Sequence, residues 1–389
     1  MSGVVGIIAE YNPFHNGHLY QLEQVKKRFP DDLIVIAMSG NFLQRGEPAC
    51  LDKWSRARQA LENGADLVLE LPTLSCVQPA DRFAFGGVSL LNTVGADKLF
   101  FGAEHSNYDF MTFARQVADL HGNFQRYDES YAKTFQAAIT ETIGHPVDQP
   151  NDLLGLAYAK ANLRLGEPMR LYPLQRVETS YHDLSLHPGQ TIASASAIRK
   201  NFVLSQPAAA PYMPAGTFHD LEKGPLLFWN DFWPLLRYRI ISSQISDLQQ
   251  VYGMTEGIEY RLLDLTQRLP LTMTFEEWVK EVKTKRFTYT HLARLAVAIL
   301  LDIKQDEVAA YNEQPYLRLL GFNERGQKQL AKIKKDCDWP IYSRVSGEDK
   351  KKQLAVDYRA GKVYQLFNGQ EQDLKRAPFV FSGVSRKIR

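Results

Sequence analysis

The chain has 389 residues, of which 44% are hydrophobic and 23% charged, ordinary globular proportions that suffice for a sizeable core and two or three domains. Three widely spaced cysteines, Cys50, Cys76 and Cys337, without a CxxC, argue against a disulfide framework or a zinc site; no apolar run approaches the roughly eighteen residues that a bilayer requires, so a cytoplasmic protein without membrane attachment is expected. The formal net charge is only +2 but is unevenly spread: residues 1–200 hold 18 Lys+Arg against 22 Asp+Glu, and residues 201–389 hold 28 against 22.

Val4 to Ala9 is a short β-branched run, and the spacing of Leu19, Leu22 and Val25 predicts an amphipathic helix from Asn16 to the stop at Phe29-Pro30. Leu33 to Met38 predicts a second strand. Asp52 to Asn63 predicts a helix ended by Gly64, and Leu67 to Leu71 a third strand. Gly64-Ala65-Asp66 and Gly95-Ala96-Asp97 each follow a helical stretch and precede a strand, the second being Lys98 to Phe101. Such repeated units imply right-handed crossovers in a parallel sheet. From Asn107 to about Leu165 the pattern is largely helical, broken at His145-Pro146 and Gln149-Pro150, and Met169 to Leu174 adds a strand.

A Rossmann-like α/β domain with a doubly wound parallel sheet is therefore expected over residues 1–204. The Pro/Ala-rich stretch from Ser205 to Pro214 reads as a linker. Residues 205–389 read as a mostly helical, basic second domain. It carries the aromatic stretch Phe228-Trp229-Asn230-Asp231-Phe232-Trp233, a Leu-rich helix around His291 to Leu301, and short β-like runs at Gln353 to Tyr358 and Lys362 to Phe367. Its basic runs, Lys328 to Lys335, Lys350 to Lys352 and Arg386 to Arg389, fit either solvated helix faces or a polyanion-binding surface.

The chemistry concentrates at the first strand–loop–helix turn, Gly6 to Leu22. In an open parallel sheet, ligands sit at the carboxyl ends of strands, and a helix N-terminus offers free N–H groups and partial positive charge to an anion. Asn16 is the candidate N-cap, and His15 and His18 lie one turn apart on the same side. Gly17 between them would let a phosphate approach the backbone. Two imidazoles there could stabilise charge developing during attack on a nucleotide α-phosphate. A second candidate phosphate site is Ile192 to Arg199, where Ser194 or Ser196 would cap a helix and Arg199 would grip the β- and γ-phosphates with its planar fork.

His15-Asn16-Gly17-His18 resembles the HxGH signature of the nucleotidylyltransferases. Gly40 to Ala49, Asp52 to Arg58 and Glu70-Leu71-Pro72 make the whole chain similar to the bacterial tRNA(Met) cytidine acetate ligase family. The resemblance implies a fold of the HxGH nucleotidylyltransferase type and an ATP-dependent ligase. Such an enzyme activates acetate as acetyl-adenylate and passes the acetyl group to the wobble cytidine of elongator tRNA(Met), with Mg2+ accompanying ATP and no obligate protein partner.

Carried over position by position, it implies ATP contacts from Ile7, Ile8, Ala9, Glu10, Tyr11, Asn12, Pro13, Phe14, His15, Asn16, Gly17, His18, Leu19 and Tyr20. Gly102, Asn151, Arg176, Ser194, Ser196 and Arg199 complete that set, and His15, His18 and Arg199 would be catalytic. Lys53, Arg56, Arg58, Lys332, Lys334 and Lys335 are candidate tRNA contacts. Glu47, Asp52, Glu70 and Asp81 are carboxylates that could hold magnesium or orient an amine, with nothing in the sequence to choose among them. From the residues alone, a small-molecule adenylyltransferase and a non-catalytic RNA-binding protein remain the rival readings.

Overall fold

The computed structural model describes residues 2–118, 131–176, 185–186 and 189–383. The middle of the expected helical stretch, 119–130, and the closing basic run Arg386 to Arg389 lie outside the described residues. Five parallel strands, β1 (Val4–Ala9), β2 (Leu33–Ser39), β3 (Leu67–Leu71), β4 (Lys98–Ala103) and β5 (Arg170–Gln175), stand in the order β5-β4-β1-β2-β3. The chain winds outward from β1 through β2 to β3, then restarts on the other side of β1 with β4 and β5. A doubly wound sheet of this kind opens its crevice where the winding reverses, between β1 and β4.

Period-two burial explains the layers. Ile34, Ile36 and Met38 of β2 pack on one face with α1 (Asn16–Arg28) and α2 (Lys53–Glu62). Leu33, Val35 and Ala37 face the other way, toward the helices Ala80–Thr93 and Pro150–Arg164. Strands covered on both faces read as continuous apolar runs, which is why they stand out in the sequence. The two Gly-Ala-Asp units share one physical task. Asp66 accepts from the Ile34 N–H at 2.9 Å and Asp97 from the Val4 N–H at 2.7 Å, so each carboxylate satisfies the entering end of a neighbouring strand.

The sheet does not stop at residue 204. Strand β6 (Leu317–Asn323) pairs antiparallel with β3, and β7 (Ile341–Tyr342) and β8 (Phe379–Phe381) pair with β6. This corrects the expected boundary at 204/205: the chain leaves the sheet, builds a helical body from Ala215 to Glu313, and returns. The stretch expected to be a linker, Ser205 to Pro214, is also corrected. It forms a helical turn, Gln206–Ala209, and a 3-10 turn, Ala210–Tyr212, and buries Ala209, Tyr212 and Met213 with Ile198 and Phe202.

One further expectation changes for the same reason, tertiary burial. Gln353 to Tyr358 and Lys362 to Phe367 are parts of one helix, Ala355–Asn368, with Val356, Ala360 and Tyr364 buried at intervals of four. That spacing is helical; Gln353 and Leu354 precede the helix. The aromatic stretch Phe228 to Trp233 belongs to the core: Trp229, Phe232 and Trp233 are buried, with Trp229 stacked on Phe275 at 4.0 Å.

Lys53 and Arg56, candidate tRNA contacts, are likewise interior, at 1% and 0% exposure. Lys53 Nζ binds Glu70 at 2.8 Å and Asp373 at 2.7 Å. Arg56 donates to the carbonyls of Leu51, Glu10, Ser39 and Gly40. Neither offers its charge to an RNA.

Because β6 covers the β3 edge and Asp373 completes the Lys53 network, a fragment ending at residue 204 should expose an unpaired apolar edge and aggregate. Size-exclusion chromatography checks this. A monodisperse fragment with a cooperative unfolding transition would show that the first 204 residues fold alone.

Candidate active site

The carboxyl end of β1 leads into Tyr11, whose backbone takes the left-handed conformation (φ 52) and whose ring is buried edge-on to Phe14 and His18, at 4.9 and 4.8 Å. Helix α1 then starts, with a cap different from the one expected. The N-cap is His15, not Asn16. His15 Nδ1 accepts from the Gly17 N–H at 3.0 Å, and His18 Nδ1 accepts from the His15 N–H at 3.2 Å, a reciprocal box built from two imidazoles. Asn16 instead donates to the carbonyls of Thr191 and Pro211, at 2.8 and 2.9 Å, and so ties the helix start to the segment after the sheet.

Gly17 has a packing reason: a Cβ there would lie 2.9 Å from His15 Cε1 and 3.0 Å from its Nδ1. The two rings stack with centroids 3.7 Å apart. Burial, Arg176 and Arg199 hold the His15 imidazole down at about 3, and burial and His15 hold His18 well below the usual histidine value. Both are therefore neutral near pH 7. With each Nδ1 accepting, the proton of each ring resides on Nε2, leaving two neutral N–H donors.

These rings sit where two chambers of one cleft meet. The first chamber is lined by Ile8, Ala9, Glu10, Tyr20, Phe101, Gly102, Asn151, Leu154, Tyr158, Leu174 and Arg176. The second is lined by Tyr11, Asn12, Leu43, Arg45, Glu47, Ser194, Ser196 and Arg199. His15, His18, Arg45 and Arg176 border both. An apolar chamber with a few fixed polar groups beside an arginine-lined one is the pairing that a base and a polyphosphate require.

Asn151 is not a helix cap. It lies in the first turn of Pro150–Arg164, and its N–H and Nδ2 both donate to Glu104, at 3.0 and 2.6 Å. Asp152 returns the bond by accepting from the N–H groups of Glu104 and His105, at 2.9 and 3.0 Å. This lock fastens the helix to the end of β4 and leaves the Asn151 side-chain oxygen as an acceptor facing the cleft. At Gly102 a Cβ would meet Arg176 Cγ at 3.4 Å, an ordinary contact distance, which places the glycine directly beside the arginine.

In the second chamber, Ser194 is the N-cap of Ala195–Leu204 and accepts from the Ala197 N–H at 3.1 Å. Ala195 and Ser196 line the chamber at the helix start. Arg199 donates to the Asn12 carbonyl at 2.7 Å and lies 3.4 Å from Glu47. Burial outweighs its hydrogen bond from Gln44 and raises the Glu10 carboxyl above its usual range.

Of the remaining candidates, Ile7, Pro13, Phe14 and Leu19 shape the β1–α1 turn without lining either chamber. Lys332, Lys334 and Lys335 are exposed on the helix Glu324–Asp336, away from the cleft, and Arg58 is paired with Asp220 at 2.6 Å. Among the acidic candidates, Asp52 caps α2, Asp81 pairs with Lys160 and Glu70 is held by Lys53. The sequence reading missed Arg45, Gln44 and Tyr158 as lining residues. Arg45 stood within the quoted Gly40 to Ala49 stretch, whereas Tyr158 carries no local signal because only the fold turns it toward the cleft.

A family model described as HIGH Nucleotidyl Transferase matches residues 2–377. The chain is 54% identical to the tRNA(Met) cytidine acetate ligase of Ligilactobacillus salivarius, over 97% of this chain and 100% of that one. It is 42% identical to the protein of the same name from Lactiplantibacillus plantarum, over 96% and 97%. Among solved structures it is similar to apo TmcAL of Thermotoga maritima, with a TM-score of 0.87 at 28% identity over 98% of this chain and 100% of that one. The same protein bound with alpha-thio ATP matches with a TM-score of 0.85, at the same identity and coverage. Motif, sheet topology and full-length similarity agree, and the chain belongs to the tRNA(Met) cytidine acetate ligase family of the HIGH nucleotidyltransferases.

Proposed function

We propose that the chain joins acetate to the wobble cytidine of elongator tRNA(Met) at the expense of ATP, through an acetyl-adenylate. The observation that carries the mechanism is the imidazole pair whose free Nε2–H donors stand between a base-sized chamber and an arginine-lined one. The adenine and ribose occupy the first chamber, against Gly102 and the Asn151 side-chain oxygen. The β- and γ-phosphates lie in the second, against Arg199, Ser196 and the helix start. An acetate oxygen attacks the α-phosphorus, the bond to the bridging oxygen breaks, and pyrophosphate leaves. His15 and His18 stabilise the charge that builds on the α-phosphate without surrendering a proton. The cytidine N4 then attacks the acetyl carbonyl, AMP departs with the bonding pair, and the amine loses its proton.

Among the described residues no three His, Cys, Asp or Glu side chains converge as a metal site. Magnesium accompanying the nucleotide would be held from the second chamber and would supply neutralisation of the leaving pyrophosphate. The carboxylates lining that chamber are Glu10 and Glu47. The tRNA is held by surface cations, for which the exposed Lys332, Lys334 and Lys335 and the half-buried, Asp220-paired Arg58 are candidates. Among the described residues no helix is long and apolar enough to cross a membrane, and a cytoplasmic location suits a tRNA substrate.

Replacing His15 or His18 by Ala should lower acetate-dependent ATP–pyrophosphate exchange by about a hundredfold or more, the worth of one lost oxyanion donor. Normal exchange in a folded His18→Ala protein would remove the imidazoles from the chemistry.

A pH profile follows from the lowered histidines. Since the His15 ring is neutral until pH falls toward about 3, kcat/KM for ATP, which reports the free enzyme, should show no acid limb near the ordinary histidine value of about 6.5. A limb there that vanished in a histidine variant would mean that a cationic ring does the work.

Arg199→Ala should weaken ATP binding by about tenfold to a hundredfold, as expected for a charge-assisted contact, and leave tRNA affinity nearly intact. Arg199→Lys should recover only part, because a point charge cannot hold two phosphate oxygens in one plane. Paired titrations with ATP and tRNA decide it; lost tRNA binding with normal ATP binding would move Arg199 to the RNA surface.

A further inference from the structure

The helix Tyr289–Leu300 belongs to the helical body, yet its backbone presses on the loop that borders the cleft. Gly46, at φ +80, has no room for a Cβ, which would lie 2.3 Å from the Ala293 carbonyl carbon and the Arg294 nitrogen. Trp229 Nε1 donates to the Gly46 carbonyl at 2.6 Å and fixes the same contact. Arg294 is thereby set beside Arg45, the arginine that borders both chambers.

The charges there are unbalanced. Arg294 makes no ion pair or hydrogen bond among the described residues, and the charged groups that act on it are Arg45 and the phenol of Tyr252. Burial lowers it to about 10, the mark of a guanidinium partly stripped of water with no carboxylate in return. One turn earlier, on the same face, the buried Nε2 of His291 also lacks a partner, and the His291 ring stacks on Phe287 at 5.6 Å. Arg286 acts on the same histidine. A guanidinium without a carboxylate partner among the described residues, outside the nucleotide chambers but beside the loop at their rim, suits a polyanion that must bring one base inward while its backbone stays outside.

We propose that Arg294, beside Arg45 at the rim of the cleft, receives the phosphates of the tRNA nucleotides adjoining the reacting cytidine. The assignment rests on cytidine of tRNA being the acceptor, as argued above. The triphosphate is a poorer occupant, because Arg294 lines neither chamber and the Arg45–Glu47 loop stands between them.

The test measures binding of a tRNA(Met) transcript at several salt concentrations, alongside acetate-dependent pyrophosphate exchange, in which tRNA takes no part. Arg294→Gln should weaken tRNA binding about fivefold to tenfold and make the salt slope shallower by about one, with exchange within about twofold of the unaltered protein. Arg294→Lys, which keeps the charge, should restore the slope. Unchanged tRNA affinity and slope in folded Arg294→Gln would overturn the receptor, as would exchange that falls while tRNA binding stays normal. Unaltered protein that exchanges pyrophosphate with acetate but leaves the tRNA unmodified would instead defeat the acceptor on which the receptor depends.

Discussion

A cation sealed from water organises the catalytic end of the sheet. The Arg56 guanidinium has no carboxylate partner among the described residues; it is satisfied by the carbonyls of Glu10, Ser39, Gly40 and Leu51. Two of these are the first carbonyls beyond β1 and β2, where parallel pairing has ended and backbone acceptors would otherwise face an apolar interior. A buried charge without such bonds is costly, and buried carbonyls without donors cost as well. Each side therefore requires the other. Because Glu10 precedes the imidazole turn by only a few residues, the same guanidinium sets where that turn begins. Asn12 continues the chain of constraint: its side chain accepts from the Cys50 N–H at 2.8 Å, and its carbonyl accepts from Arg199.

Lys53, three residues earlier on the same helix, performs the complementary task at long range. Its ammonium bridges Glu70 of β3 and Asp373 near the end of the chain, while Trp54 Nε1 donates to the Gln372 carbonyl at 2.7 Å. Burial pushes the Glu70 carboxyl up even with the ammonium beside it, while Asp373 and Glu70 together hold the Lys53 ammonium in its charged form. Removing the ammonium would strip both carboxylates of their nearest cation and leave Asp373 only Arg318, at 3.9 Å, a loss of about 3–5 kcal/mol. The helical body, held to the loop of residues 43–48 at Gly46 and Trp229, is thus closed onto the sheet from both ends of its sequence, which suits an enzyme whose second substrate must reach into the first one's cleft.

What the sequence made legible is what is local. The apolar runs of β1 to β5, the Gly-Ala-Asp joints and the His15-Asn16-Gly17-His18 turn each carry their cause within a few neighbouring residues. Lys53 and Arg56 were read as surface cations because their partners lie as far away as Asp373, and no window of sequence shows that a charge will be enclosed. The aromatic hexapeptide suffers the same blindness, since Trp and Phe serve a core and a stacking platform equally well. The helix Ala355–Asn368 differs for another reason: its apolar residues fall in two short clusters that resemble strand-like runs, and burial of Val356, Ala360 and Tyr364 four apart marks them as one helix.

The imidazole turn shows why chemistry and fold can be inseparable in so short a motif. A reciprocal cap demands acceptors at the N-cap and three residues on, and here both are Nδ1 atoms. The residue between must be small, since its Cβ would strike the first ring. The spacing of His15, Gly17 and His18 is therefore already required to start α1, before any ligand is considered. By consuming each Nδ1 in the cap, the fold assigns the tautomer; burial and the neighbouring arginines keep the rings neutral. The atoms left over are two Nε2–H donors, held in register by stacking at the point where the sheet's winding reverses. A substitution that preserved a donor but lost the Nδ1 acceptor would fray the helix start, and one that preserved the cap but lost Nε2–H would keep the fold without its donor.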